Sequence, residues 1–305
     1  MRRNLIICLL ALLIPLGVQG RVTSFFDFSA GTGWSTLTYS LRGAPEGLTA
    51  KQLGSYNMTF HVGYGMMFNS YVGLGLGVDM SRYGAKAGMK GEMWWNDVTD
   101  TDGEKYNHCT SVGYWNDKQE LYYVEVPLTL YFCIPTTSAV SISAELGVKY
   151  AYPFLRNTSY SGEVTHSGQY PVWGVTLTDM PNHGFTTEKL NGGGHFDAEH
   201  QIIAFAKVGV LVSLNNRVSL FAHVFGTYGF LNAIGQSAEK HELGFRGEND
   251  DFHDFMQPAS SVLMTDLPSG SFRPASVGLE IGVRVHLASR SKEPCRCITD
   301  DYYYF

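Results

Sequence analysis

The clearest regularity in this chain is an alternation of period two, the signature of a strand with one apolar face. Near the end, Val277, Leu279, Ile281, Val283, Val285 and Leu287 are apolar, and Gly278, Glu280, Gly282, Arg284 and His286 sit between them. The same pattern runs through Met58 to Met66, Val72 to Ser81, Tyr123 to Phe132, Val140 to Lys149 and Val218 to Val224. Two segments are less regular: Phe26 to Tyr39, and Ile202 to Leu214, where Phe205 and Leu211 fall on the face that is otherwise polar. Eight segments result, each long enough for the roughly 9–11 residues a tilted strand needs to cross a bilayer.

The connections between segments alternate in length. Asn69-Ser70-Tyr71, Pro135-Thr136-Thr137-Ser138 and Asn215-Asn216-Arg217 are tight hairpin chemistries. The other connections, 42–54, 84–120, 156–198 and 235–271, are long. Short turns on one side and long loops on the other predict an all-β fold, an eight-stranded antiparallel up-and-down transmembrane β-barrel with long extracellular loops. Closure follows because hydrocarbon leaves no backbone group a water partner, so an open sheet edge is forbidden. A soluble β-sandwich shares the period-two signal and is the competing fold.

The N-terminus favours the membrane reading. Arg2 and Arg3 precede an unbroken apolar run from Leu5 to Ile14, and Pro15, Gly17 and Gly20 end it. That is the layout of a secretory signal peptide, and the run is too short for a spanning helix. Residues 1–20 are therefore expected to be a cleaved signal, 21–287 the barrel, and 288–305 a periplasmic C-terminal tail. The expected location is the cell outer membrane.

Composition narrows the partners. A formal charge of −6 argues against nucleic acid. After the signal no stretch approaches the roughly twenty apolar residues of a helical span. Cys109, Cys133, Cys295 and Cys297 remain, and an exported compartment permits disulfides. Their spacing is not a paired zinc pattern. A bridge from Cys133 to the tail and free thiols are both open.

Candidate chemistry lies in the lumen and the loops. Asp79, Glu125, Glu145, Lys149, Lys207, Glu280 and Arg284, with His61, His223 and His286, fall on the inward face. A buried charge must be paired, so these predict ion pairs across the barrel. They read as a plug that fixes register, favoured over a selective pore because eight strands leave little room for water. In the second loop, Asp100, Asp102 and Glu104 surround Gly103, but Val98 stands where a calcium loop needs a ligand, which favours a solvated acidic loop. Trp94, Trp95, Tyr114 and Trp115 could form a binding platform, pack an extended hairpin, or sit at the membrane interface. Asp100-x-Asp102 and Asp251-x-His253 echo the paired motifs of omptins, a class of outer-membrane protease, and could activate a water. Such short spacings arise by chance in acidic loops, and omptins have ten strands, so no enzyme is expected.

Tyr123-Val-Glu-Val-Pro127-Leu-Thr-Leu-Tyr-Phe132, Val277 to Val285 and the glycine-rich Val72 to Val78 resemble strands of the outer-membrane β-barrel domain family, the OmpA/OmpX/OmpW-like barrels. The resemblance covers about Phe25 to Leu287. It implies roles in envelope integrity, adhesion or small-solute passage, and it brings no catalytic residue. Two departures stand out. The tail after Leu287 displaces the terminal aromatic that the assembly machinery reads, so either Leu287 closes the barrel and the tail hangs in the periplasm or Tyr302-Tyr303-Tyr304-Phe305 has a separate recognition role; the tail is also too short for a peptidoglycan-binding domain. The expected function is a structural, adhesive or ligand-binding role carried by the loops, over a lumen mostly plugged by ion pairs. A narrow porin and an omptin-like protease are the alternatives. Expected partners are outer-membrane lipid including lipopolysaccharide, the barrel-assembly machinery and an unknown extracellular ligand. No cofactor or metal is expected.

Overall fold

The computed structural model describes residues 22–41, 44, 46–100, 102–234, 261–265 and 268–287. The expected signal, the tail with Cys295 and Cys297, and the pair Asp251 and His253 lie outside them. Among the described residues ten strands form: β1 (Thr23–Leu37), β2 (Leu48–Met67), β3 (Val72–Thr99), β4 (Lys105–Pro135), β5 (Val140–Tyr170), β6 (Val175–Leu177), β7 (Thr187–Gly194), β8 (Gln201–Ser213), β9 (Val218–Gly229) and β10 (Pro274–His286). Each of β1–β5 pairs antiparallel with the next, β5 continues to β8, β9 and β10, and β10 returns to β1. The result is a closed ring of eight. Strands β6 and β7 pair only with the far end of β5.

Burial is inverted relative to a soluble protein. Ile281 is 68% exposed while its neighbour Glu280 is 3% exposed. Phe28, Phe60, Val78, Leu128, Val148 and Val210 are exposed in the same way around the ring. A sandwich would turn these residues into its core, so the apolar band decides between the two folds: only lipid would cover it. Exposed aromatics border the band. Trp34, Tyr56, Tyr152, Phe154 and Tyr228 stand at the loop end, and Phe26, Tyr64 and Phe132 toward the turn end. Among the described residues no helix is long and apolar enough to cross a membrane.

The three short turns form as their residues dictate. The Asn69 side chain accepts from the backbone N–H of Tyr71 and Val72, both at 2.8 Å. Asn215 does the same for Arg217 and Val218, at 2.8 and 2.9 Å. Thr137 accepts from Ala139 and Val140, at 3.4 and 3.0 Å. These are the side-chain-to-backbone turns that Asn and Thr favour.

The long connections differ from the expectation. Much of 84–120 and 156–198 is strand rather than loop. β3, β4 and β5 run for 28, 31 and 31 residues, against 12 to 15 for β1, β8, β9 and β10. The second connection shrinks to the few residues between Thr99 and Lys105. Alternation persists in these extensions, with Ala85, Ala87 and Met89 buried between exposed Lys86 and Lys90. Above the band water covers the outer face, so it can be charged or glycine-rich and no longer reads as a membrane strand. One side of the barrel thus rises as a tall sheet of β2–β5 with β7 and β6 beyond.

The closing seam needs two glycines. Gly33 faces Gly278 across β1 and β10. A Cβ on Gly33 would lie 2.1 Å from the Val277 carbonyl oxygen and 2.4 Å from the Gly278 Cα. Gly33→Val should therefore lower stability by about 1–3 kcal/mol, as overpacking does. At Gly226 an added Cβ meets nothing nearer than 4.0 Å, so Gly226→Val should be tolerated. Urea unfolding of the refolded protein in detergent micelles compares the two.

Candidate functional site

The lumen is filled from the turn end upward. Phe25, Met67, Tyr131, Cys133, Leu211 and Phe221 form a buried apolar layer there. The irregular positions Phe205 and Leu211 do point inward. Arg284 lies over this layer, its guanidinium 4.0 Å from the Phe25 ring centroid and 5.0 Å from that of Tyr131. It donates two hydrogen bonds, each 2.8 Å, to Asp27, its cross-strand neighbour on β1. Glu145 stands 3.6 Å from both Arg284 and Lys207 and links the first layer to the next.

In the middle layer Lys207 donates to Glu280 at 2.9 Å, and Ser29 donates to the same oxygen at 2.8 Å. His223 bonds Ser143 at 2.7 Å. Phe205 separates the two lysines, with Lys149 5.2 Å and Lys207 5.7 Å from its ring centroid. Above, Lys149 donates to Asp79 at 2.5 Å and to Glu125 at 2.9 Å. His61 pairs with the other oxygen of Asp79. Ser81 and Tyr83 donate to Glu125 at 3.0 and 3.1 Å. His286 lies apart, bonded to Ser219 at 3.0 Å. The seven charged candidates thus lie in two networks, Arg284, Glu145, Lys207 and Glu280 below and Lys149, Asp79 and Glu125 above, with the Phe205 ring between their lysines.

Little space remains. The central cavity, lined by Thr59, Ser81, Lys149, Lys207 and Glu280 among others, holds about 10 Å³, room for about one water. Asp27 is the member of this network that the sequence reading omits. Its signal was present, because it alternates with Phe26 and Phe28, but that segment is less regular than the others.

The mouth is closed by a second core. Leu37 at the end of β1, and Tyr39, Phe196, Ile234, Val262 and Phe272 from three connections, converge onto the inner face of the tall sheet, against Tyr83, Met89, Trp115, Leu121 and Tyr123. Asp117 on β4 anchors one of these segments. It accepts from the Ser261 hydroxyl at 2.8 Å and the Val262 backbone N–H at 2.5 Å, and Gln119 donates to it at 3.4 Å. Ser261 in turn caps the short 3-10 turn Val262–Met264 by accepting from the Leu263 N–H. Gln119 also receives the Tyr39 hydroxyl at 3.0 Å. Asp117 gave no signal in sequence, since the partners that define it lie over a hundred residues away.

Trp115 is buried and stacks on Tyr160, 4.9 Å between centroids, and Trp95 packs against His108. Trp94 and Tyr114 are exposed on the opposite face, so the four aromatics form no single platform. Farther up the sheet, Tyr106, Tyr170 and Phe185 make a small cluster beside His108, whose basicity burial and the nearby His166 lower to about 3. Asp100 caps its own turn, accepting from the backbone N–H of Asp102 and Glu104 and from the Tyr170 hydroxyl. Its lone pairs serve the hairpin, and its notional catalytic partners Asp251 and His253 lie outside the described residues. Among those residues, no group of three or more His, Cys, Asp or Glu could hold a metal ion. Cys109 and Cys133 are buried free thiols, and burial, with Glu92 adding, pushes the Cys109 thiol up to about 11.

No protein-family model matches the chain, and no curated protein matches it in sequence. The resemblance to the OmpA/OmpX/OmpW-like barrels therefore has no family match behind it. Among solved structures the chain is similar to Neisserial surface protein A, at 14% identity and a TM-score of 0.35, covering 85% of this chain and 96% of that one. It is similar to outer membrane protein OprG from Pseudomonas aeruginosa at 15% identity and a TM-score of 0.36, covering 89% and 99%. A third is Ail, the attachment invasion locus protein of Yersinia pestis, solved with the heparin analogue sucrose octasulfate, at 12% identity and a TM-score of 0.24, covering 87% and 99%. These are likenesses of outline. The barrel itself rests on the strand pairing above.

Two outcomes follow from the geometry. Lys149→Met should leave Asp79 and Glu125 facing each other without the lysine that bridges them and cost about 3–5 kcal/mol, the range for breaking a buried pair. Adding Asp79→Asn to that variant should recover part of the loss. Urea unfolding in micelles measures both. The second concerns pH. Burial raises the Asp117 carboxyl to about 6, against the lowering effect of Ser261, Val262 and Gln119. A folded value above the unfolded one means that protonation favours the seated turn. That stabilisation is complete below about pH 4 and is lost as pH rises through about 6. Asp117→Asn should flatten this component, so the melting-temperature difference between variant and wild type should change between pH 4.5 and 7.5. An identical pH dependence in both proteins would contradict the assignment.

Proposed function

We propose that this chain is a closed outer-membrane barrel that holds a rigid, binding-competent β-sheet above the cell surface, and that it is neither a pore nor an enzyme. The apolar band and its aromatic borders support insertion in the outer membrane, with the short turns in the periplasm and the tall sheet outside. One observation carries the reading: the lumen is filled by the interlocked charges and capped by Val262, Ile234 and Phe272, while a sheet with its own core rises above it. A protein that conducted solutes would not fill its own channel. A protein that presented a surface would build outward, as this one does.

The sheet has features of a recognition element. Its far hairpin exposes Val172 and Trp173, which are 87% and 54% exposed, and Trp173 stacks on Tyr170 at 4.9 Å. Those rings are held in place before any partner arrives, which lowers the ordering cost of binding. The narrow porin loses ground because the central cavity admits about one water. The protease loses ground because Asp100 is committed to its turn.

Ion conductance of the full chain inserted in a planar bilayer tests the proposal. The expected result is silence from protein shown to be inserted; uniform, sustained steps would restore the porin. On intact cells, Trp173→Cys should react with a membrane-impermeant maleimide. Absence of labelling in a protein that fractionates with the outer membrane would reverse the orientation.

A further inference from the structure

The outer face of the tall sheet changes character just above the aromatic border. On β3, outward residues pass from Val78 and Met80 to Arg82, then Lys86 and Lys90. On β4 they pass from Val126 and Tyr122 to Glu120, Lys118 and Asn116. Lys86 and Lys118 are direct cross-strand partners. Like charges opposite each other in a sheet repel, so the pairing costs stability unless an anion sits between them. The local supply of anions falls short. A single oxygen of Glu120 serves both Arg82 at 2.7 Å and Lys118 at 2.6 Å, and Lys86 has no carboxylate partner among the described residues. Lys51 is exposed on the neighbouring β2, where it faces Gly88 of β3.

Lys86 and Lys118 line a groove. It holds about 360 Å³, and its walls carry Lys86, Lys118, Asn116, Ser159 and Ser161, with Leu53 at one side. Two cations and three neutral donors or acceptors converge there on space fit for a small anionic group; Asp117 also borders the groove, with its carboxylate held by Ser261 and Val262. The height is informative as well. Lys118 lies four residues beyond Tyr122, about 14 Å along the strand and about 10 Å above the aromatic border once strand tilt is allowed for. That is the zone of the polar headgroups, and the groove opens on the same side of the wall as the lipid-facing Val124, Tyr122 and Phe154.

We infer that this groove is a docking site for a phosphorylated glycolipid headgroup of the surrounding outer leaflet, with Lys86 and Lys118 holding the phosphate and Asn116, Ser159 and Ser161 its sugar or remaining oxygens. The inference rests on the outer-membrane reading above and deepens it by naming a partner. Phosphate suits the site because its oxygens accept from several ammonium and hydroxyl donors at once. A membrane lipid suits it better than a free anion because the apolar wall below would receive the acyl chains of the same molecule. Bound lipid would also fix the tall sheet against the bilayer on this side.

The test uses the full chain in phosphatidylcholine bilayers doped with either bisphosphoryl lipid A or the same lipid A stripped of its phosphates. Lipid retained per protein after detergent extraction is counted by mass spectrometry. The expected result is about tenfold or greater preference for the phosphorylated form, lost in Lys86→Ala/Lys118→Ala and retained in Lys86→Arg/Lys118→Arg. The alanine variant removes a repulsion, so folding should survive, which strand content by circular dichroism confirms. Equal retention by wild type and the alanine variant overturns the inference and leaves the barrel reading intact. Inorganic phosphate or a sulfated polysaccharide that competes with lipid A as strongly as lipid A itself also overturns it, in favour of a soluble anion. A chain that a urea wash strips from the bilayer fails the outer-membrane reading, and this site with it.

Discussion

Lys149 reaches from β5 to carboxylates on β3 and β4, and Arg284 reaches from β10 to Asp27 on β1. The rest of the interior depends on the constraint behind these contacts. A charge deprived of water must meet a countercharge or be very costly. Eight strands enclose a lumen too narrow to hydrate it, so each inward charge is held between partners, and Glu145 ties the two lower groups together. Register follows, because slipping one strand by a residue would turn its charges into lipid and its aliphatic side chains into the lumen.

The same constraint explains where the protein can grow. Within the apolar band each residue type is dictated by lipid on one side and a packed lumen on the other. Above the band water returns, and the outer face is released to carry lysine, serine, asparagine and glycine. The inner face must still bury apolar surface, and it does so against the connections that fold back over the mouth. The extensions of β2–β5 are therefore a continuation of the barrel wall with a different solvent on one side. They also complete the seal, since the residues that cap the mouth need the tall sheet to pack against.

A filled barrel and an extended sheet divide the labour. The lower part anchors and resists deformation, because its charges interlock and its backbone hydrogen bonds close on themselves. The upper part offers surfaces of two kinds: a water-facing hairpin bearing Val172 and Trp173, and a basic groove close to the bilayer. Asp117 lies between these regions. Buried beneath the capping turn, its carboxyl is raised above the usual carboxylate range, which links the seating of the turn to pH.

The sequence by itself determined the eight strands of the ring, their apolar and polar faces, the three tight turns and every charge of the lumen network but Asp27. Those follow from nearest-neighbour chemistry: alternation is a property of consecutive residues, and Asn69, Thr137 and Asn215 build their turns from adjacent backbone. Only the tertiary structure decided which charges meet. Asp79 and Lys149 are 70 residues apart and Asp27 and Arg284 are 257 apart, and their contact depends on the register of every strand between them. It also decided that the second and third long connections are mostly strand, because glycine- and lysine-rich extensions lose the apolar outer face by which a membrane strand is recognised. The cap, the role of Asp117 and the Lys86–Lys118 groove share this origin. Each is made by residues distant in sequence, or on different strands, that closure of the ring brings together.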